Sequence, residues 1–307
     1  MISFILRRLM SAVPTLFIVV TLSFFLMRFA PGSPFNLRRP LPPQITDNLN
    51  RTFGLDLPIW QQYLRYLANL ATGNLGPSYV YRDNSVNELI AMGLPYSIKL
   101  GLLTLVIALV GGVLAGAYAG LKQNSAVDFL IMAVSAFGIT VPNFVVGPLL
   151  TLLFAVMLGW LPAGGWGDGS IRYLALPMVT LALPQLAIFA RMMRGSMIEA
   201  LNAEHIRTAR AYGLPAHKVV VVHAMRAALL PIVSYLAPCA AGLLTGSAVI
   251  ESIYTIPGVG RYFVSASINR DYTLVMATVV LIAVFVIVFN LIVDLLYALI
   301  DPRVRHD

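Results

Sequence analysis

The sequence predicts an all-α membrane protein of about six transmembrane helices, and three observations support this prediction. Of the 307 residues, 59% are hydrophobic and only 11% are charged, whereas soluble domains carry about 25% charged residues. Apolar runs of the ~20 residues needed to cross a bilayer recur along the chain. Basic residues lie in short clusters between these runs. Backbone groups in hydrocarbon must be satisfied internally, so the runs are predicted to be helices rather than open strands.

The apolar runs predict spans at residues 9–27, 98–121, 127–158, 173–190, 231–250 and 274–300. The first run exceeds the ~7–15 residue core of a signal peptide, and it precedes a poor cleavage site, so we interpret it as a retained span. The third run contains Pro142 and Pro148. A kinked or broken helix is expected there, because Pro removes a backbone donor and clashes with the preceding turn.

The distribution of basic residues predicts that both ends of the chain are cytoplasmic. With this orientation the short outer loops hold only Arg172, Arg261 and Arg270, whereas most other basic residues are inside. The net charge of +8 is therefore interpreted as a membrane-orientation signal. The sequence has no basic face interleaved with aromatic residues, which is the pattern that would indicate a nucleic-acid partner.

These spans divide the chain into three predicted regions. Residues 1–29 form the N-terminus and first span, 30–97 an outer segment, and 98–307 a five-span core whose cytoplasmic loop covers 191–230. The outer segment is Pro-rich at first and mildly amphipathic from Leu57 to Leu70. It is too long for a simple turn, and it is either a small helical cap or a spacer.

The cytoplasmic loop predicts a helix, a turn and a second helix at the membrane surface. Glu199 to Tyr212 has helical composition, and Gly213 tolerates the left-handed geometry that commonly stops a helix. Pro215 suits the first turn of a following helix, which we expect to continue to Leu230. The loop either enforces topology alone or docks into a cytoplasmic partner.

The loop also resembles a known motif. The run RTARAYG, from Arg207 to Gly213, is similar to the Glu-Ala-Ala-x-x-x-Gly loop of ABC importer permeases, with Arg207, Thr208 and Ala209 in place of Glu, Ala and Ala. The run His223 to Arg226 departs from the general family's Ile-x-Leu-Pro. Residues 28–34, 246–260 and the C-terminal end resemble the oligopeptide/dipeptide transporter branch, most of all the B-type oligopeptide permeases. The resemblance covers essentially the full length.

The resemblance implies a type I ABC importer permease in a bacterial inner membrane, forming half of the translocation pathway for oligopeptides. The implied partners are a second homologous permease, two cytoplasmic ATPase subunits and a periplasmic peptide-binding protein. ATP and Mg²⁺ would be handled by the ATPase subunits, since this sequence has no G-x-x-x-x-G-K-[ST] loop. The residues expected to couple to the ATPase are Arg207, Thr208, Ala209, Arg210, Ala211, Gly213 and Leu214.

Span five is rich in small residues. These either let helices pack closely or line a pore with few obstacles, in which case Ser234, Thr245 and Ser247 are candidates. Glu251 borders its outer end and is a candidate for an outer gate. Among carboxylates, only Asp294 lies well inside a predicted span, and we expect it to pair with a basic residue near the inner surface.

Other functions leave different sequence signals. An ion-coupled secondary transporter normally carries carboxylates or broken-helix ion sites near the midplane. The broken third span is compatible with this alternative, but the scarcity of buried carboxylates opposes it. A membrane enzyme is not expected, because all four histidines fall in inner segments and no H-E-x-x-H run occurs. We therefore predict no catalytic, cofactor or metal residues. An ABC permease for dipeptides or nickel remains an alternative.

Overall fold

The computed structural model describes residues 2–30, 42–81, 83–245 and 247–300, which are mostly helical. Within these ranges five helices are long and apolar enough to cross a membrane, and one bent pair is a sixth candidate. The predicted helical membrane fold is confirmed. The helices are α1 Ile2–Phe29, α2 Pro43–Thr52, α3 Ile59–Ala71, α4 Val86–Leu121, α5 Ala126–Thr140, α6 Asn143–Leu150, π-helix Thr151–Met157, α7 Ile171–Asn202, α8 Glu204–Ala211, α9 Ala216–Lys218, π-helix Val219–Ala224, α10 Met225–Ala228, α11 Leu230–Thr245, α12 Ala248–Ile253, α13 Val259–Asn269 and α14 Tyr272–Ile300.

The centre of the fold is the close packing of α4 against α7. Gly112, Gly116 and Gly120 form a stripe along α4 at four-residue spacing. A Cβ atom added at Gly116 would collide with the carbonyl oxygen of Ala190. The two backbones therefore touch where no side chain fits, which is how small residues associate helices in membranes.

The third span is broken, as Pro142 predicts. α5 ends at Thr140, Val141 is extended, and Pro142 caps α6. The chain bends by 105° between the two halves. The Tyr254 hydroxyl donates to the carbonyl of Gly147 at 3.1 Å. The same hydroxyl lies 3.1 Å from the Thr180 hydroxyl. This buried contact joins the second half of the broken span to α7 and α12.

Two helices extend beyond their predicted spans. α4 begins at Val86 rather than residue 98, with a capping box between Ser85 and Glu88. α7 continues to Asn202 rather than ending at residue 190. At 1.5 Å per residue these helices measure about 54 and 48 Å, which exceeds the ~30 Å hydrocarbon core. The projecting turns contain polar residues, so the apolar runs in the sequence end before the helices do.

A small helical cap, α2 and α3, follows the first span, as the amphipathic stretch predicts. The Gln62 amide donates to the carbonyls of Leu55 at 3.1 Å and Leu57 at 2.7 Å, which fixes the turn before α3. Tyr63 bonds Thr21 of α1 at 2.7 Å. The Ser78 hydroxyl donates to Asp271, the buried carboxylate just before α14. The cap is therefore fastened to the first span, and the segment that follows it is fastened to the residue before the last span.

Candidate functional site

The inner-surface segment begins with a short helix that follows the end of α7 after one non-helical residue. The backbone breaks at Ala203, where φ is −66° and ψ is 149°, and α8 starts at Glu204. The prediction of one helix from Glu199 to Tyr212 was therefore wrong. Ala203 favours a helix by itself, so the break arises from packing: Ile206 and Ala209 turn one face of α8 into the protein core.

The end of α8 is a Schellman turn built around Gly213. Its φ of +73° is left-handed, as the sequence predicts. The Gly213 N–H donates to the carbonyl of Arg210 at 2.9 Å, and the Leu214 N–H donates to that of Ala209 at 3.3 Å. These are the two hydrogen bonds that define the motif. The two hydrogen bonds fix the shape of the turn. Glycine permits this shape because it has no Cβ atom.

After the turn the chain remains helical as far as Ala228. Pro215 caps α9, which runs through the second π-helix into α10, so the predicted second helix is present with a widened turn. Val219 and Ala224 of this segment are buried in the same core cluster as Ile206 of α8. α8 is thus held between the end of α7 and the segment leading into α11.

The face of α8 that points away from the protein core is polar and exposed. Arg207, Thr208, Ala211 and Tyr212 line an open depression. The Tyr212 side chain is 83% exposed, more than any other large hydrophobic side chain that the structure describes. It was absent from the predicted site, although it lies inside the recognised motif. A basic surface with a free aromatic ring is suited to a pocket on another protein, where Arg and Tyr are favoured contact residues.

The pore candidates of span five have different environments. Ser234 is exposed, on the same face of α11 as Pro238 and Gly242. The side chain of Thr245 lies outside the described residues. Ser247 is fully buried and donates to Glu251 at 2.5 Å. Ser247 therefore does not line an open surface in this conformation, contrary to prediction.

Glu251 is the centre of a buried polar cluster. Its side chain is fully buried. One carboxylate oxygen accepts from Ser247 and, at 2.8 Å, from Ser97 of α4, while the other accepts from the Arg261 backbone N–H at 3.2 Å. The cluster ties α4, α12 and α13 together. A Cβ atom added at residue 258 would collide with the Glu251 carboxylate. Gly258 therefore leaves the space that this carboxylate occupies.

The comparisons with known proteins identify the family. Residues 112–306 match the model for the inner membrane component of binding-protein-dependent transport systems, and residues 1–100 match the model for the N-terminal part of that component. The chain belongs to this permease family. Like the family, it is a multi-pass inner-membrane component of a transport system.

The relatives cover the permease from end to end. It is 50% identical over 306 residues to the oligopeptide transport system permease protein OppB of Haemophilus influenzae and of Escherichia coli K12, with 100% of each chain covered. It is 40% identical to the dipeptide transport system permease protein DppB of Bacillus subtilis, over 98% of this chain and 97% of the relative.

A solved structure shares the permease fold. The MetNI methionine ABC transporter in an inward-facing form matches with a TM-score of 0.59 at 16% identity, over 69% of this chain and 96% of that chain. The likeness confirms the type I importer architecture expected from the sequence.

In the part of the chain that the structure describes, two ion pairs join distant helices. Arg194 of α7 binds Asp128 of α5 through two bonds, at 2.5 and 2.7 Å, a pair that the distribution of basic residues did not predict. Arg8 of α1 lies 3.1 Å from Asp294 of α14, which confirms that Asp294 pairs with a basic residue. Asp128 and Glu251 are buried, each the third residue from an end of a candidate span.

Proposed function

We propose that this chain forms half of the translocation pathway of an ATP-driven importer for oligopeptides. The proposal is supported by 50% identity, over the whole length, to permeases named for oligopeptide transport. The observation that carries the mechanism is α8: one face is anchored in the core, and the other is basic and exposed.

The other components of this importer are separate chains. A second homologous permease completes the pathway, two cytoplasmic ATPase subunits supply force, and a periplasmic protein delivers peptide. ATP and Mg²⁺ bind to the ATPase subunits, because this sequence lacks a phosphate-binding loop. The chain itself is not an enzyme.

In the proposed cycle, α8 and the turn at Gly213 sit in a cleft of one ATPase subunit. Nucleotide-driven closure of the ATPases moves α8. Since Ile206 and Val219 lie in one core cluster with residues of α7 and α11, those helices move with it. The rocking motion exposes the pathway alternately to the two sides, and hydrolysis reverses it.

The pathway and its gate are assigned to α11 and α12. Ser234 and the exposed face of α11 line the pathway, together with Thr245. Glu251 holds the outer ends of α4, α12 and α13 in register, and Ser247 is now assigned to this gate as its hydrogen-bond donor. Residues 1–29, 30–97 and 98–307 are taken as the first span, the outer segment and the core.

The test of coupling is ATP-driven peptide uptake into proteoliposomes containing the complete importer. Arg210→Glu reverses a charge on the exposed face of α8, and we expect weaker co-purification of the ATPase and lower uptake. Lys122→Glu is the matched control, because Lys122 is also exposed and predicted to lie inside, but outside α8. Equal effects of the two variants would contradict the coupling role of α8.

The same vesicles separate the alternative functions. Uptake that survives a proton ionophore and stops with a non-hydrolysable nucleotide supports the ABC mechanism over an ion-coupled one. Competition by a pentapeptide, but not by a dipeptide or Ni²⁺, supports oligopeptides as substrate. The opposite order would favour a dipeptide or nickel importer.

Thiol labelling tests the pathway assignment. The native Cys239 is buried, so its background reaction should be low. We expect Ser234→Cys to react with a membrane-impermeant maleimide in the assembled importer and Ser247→Cys to remain unreactive at rest. Peptide should protect Ser234→Cys. If Ser234→Cys is unreactive even without peptide, the small residues of α11 serve helix packing instead.

A further inference from the structure

A cavity of about 220 Å³ lies between the outer cap and the ends of α1 and α14. Arg28 belongs to the last turn of α1, Arg65 to α3, and Thr273 to the first turn of α14. The volume has room for about seven water molecules. None of the functions assigned above uses it.

The cavity is positively charged. Arg28 and Arg65 line it, and none of the described residues in its wall is acidic. Both guanidinium groups are positioned by neighbours. The Arg28 Cζ atom lies 5.5 Å from the centre of the Phe24 ring, and the Arg65 Nη1 atom lies close to Gly54, where an added Cβ atom would meet it at 3.1 Å. Two oriented guanidinium groups without a nearby carboxylate form an anion site.

The cavity also concentrates unpartnered polar atoms. Among the buried side-chain polar atoms of the described residues that lack a hydrogen-bond partner, two belong to residues of this wall: Arg28 Nε and Gln62 Oε1. Buried polar groups are normally satisfied. Arg28 Nε can only donate, and Gln62 Oε1 can only accept. A ligand that satisfies both carries an anionic acceptor and a hydrogen-bond donor. Water also satisfies such atoms, but two guanidinium groups in one wall favour an anionic ligand.

The surroundings indicate that the ligand comes from the membrane. Leu26 and Phe29, which flank Arg28 on α1, are 69% and 70% exposed, and Leu22 one turn earlier is 56% exposed. These apolar side chains belong to a candidate span and lie mostly on the side of α1 away from Phe24 and Arg28, so they place Arg28 at the membrane boundary. Arg28 is at the end of that span, where lipid phosphates are found.

We propose that this cavity binds the phosphate group of an anionic phospholipid from the outer leaflet, with Arg28 and Arg65 on the phosphate and Gln62 accepting from a headgroup hydroxyl. Phosphatidylglycerol has this chemistry. Phosphatidylcholine has the phosphate but neither net negative charge nor a hydrogen-bond donor. The proposal does not depend on the transport cycle, since it rests only on the cap and the predicted outer position of Arg28.

Native mass spectrometry of the full-length chain in mild detergent tests the proposal by titration with phosphatidylglycerol. We expect Arg28→Gln and Arg65→Gln each to weaken binding about tenfold, the usual effect of losing a charge-assisted bond. Arg51→Gln is the matched control, because Arg51 is an exposed cap residue outside the cavity wall. It should change binding by less than about twofold, and phosphatidylcholine should bind more weakly than phosphatidylglycerol. Arg65 is exposed, so its variant should fold normally.

Three results would overturn parts of the proposal. Unchanged binding in both cavity variants would remove the site. Tight binding of inorganic phosphate without binding of phosphatidylglycerol would retain the phosphate chemistry and exclude the membrane source. Displacement of the lipid by a peptide with a free carboxyl end, but not by its amidated form, would assign the cavity to substrate instead. Loss of transport with intact lipid binding would contradict only the proposed function.

Discussion

Replacing Gly213 by valine tests whether the turn after α8 transmits force from an ATPase subunit. Gly213 has a φ of +73°, and a Cβ atom added there would meet no atom within 4 Å. A steric clash therefore contributes nothing. The cost is conformational, because a residue with a Cβ atom loses about 1–2 kcal/mol in left-handed geometry.

Valine at residue 213 has two ways to respond. It either retains the strained turn or moves to negative φ and breaks the two turn hydrogen bonds, each contributing about 1 kcal/mol. Both routes cost about 2 kcal/mol, so the equilibrium between the docking-competent and the broken turn shifts about 30-fold from its value with glycine, and the two forms become about equally populated. The fold should persist, because the turn is exposed and its bonds are local.

The assay compares peptide transported per ATP hydrolysed in proteoliposomes. We expect this ratio to fall about twofold in Gly213→Val, because about half of the turns would be broken, with near-normal assembly of the membrane subunits. Gly195→Val in α7 is the control: its site is equally open, but its backbone is helical, where valine is at least as favourable as glycine. A wild-type transport ratio in Gly213→Val would refute the coupling assignment.

Three stability predictions follow from buried contacts, all measured by thermal unfolding in detergent. Arg194→Met should lower the unfolding midpoint, because it leaves the Asp128 carboxylate without its cation; adding Asp128→Asn should recover much of that loss. Tyr254→Phe should cost about 0.6–1.7 kcal/mol, the range for interhelical hydrogen bonds in membranes, and an unchanged midpoint would show the hydroxyl to be dispensable. Asp294→Asn should cost at most about 1 kcal/mol, because its partner Arg8 is 53% exposed; a larger loss would mean that this pair is buried in the membrane.

Much of the fold was predictable because its signals are local. Pro142 predicted the broken span, since its missing N–H and its ring act within one helical turn. Gly213 predicted the end of α8, since left-handed geometry selects for glycine. The break at Ala203 was not predictable in the same way. Its cause is the burial of Ile206 and Ala209 against residues far along the chain, and alanine itself gives no sign of it.

The roles of the charged residues were decided by tertiary structure. The sequence shows that Glu251 follows an apolar run, but not that Ser97, 154 positions away, donates to it. It shows Arg194 as one basic residue among several, but not as the partner of Asp128.

By itself, then, the sequence determined a bundle of membrane helices, their approximate ends and a surface turn at Gly213. These properties depend on side-chain hydrophobicity and backbone preference over neighbouring residues. Only the packed bundle decided which polar groups are buried together and where a cationic cavity opens beside Arg28. Such pairings depend on how each helix rotates and how closely it approaches its neighbours, and one chain read in order does not contain that distance information.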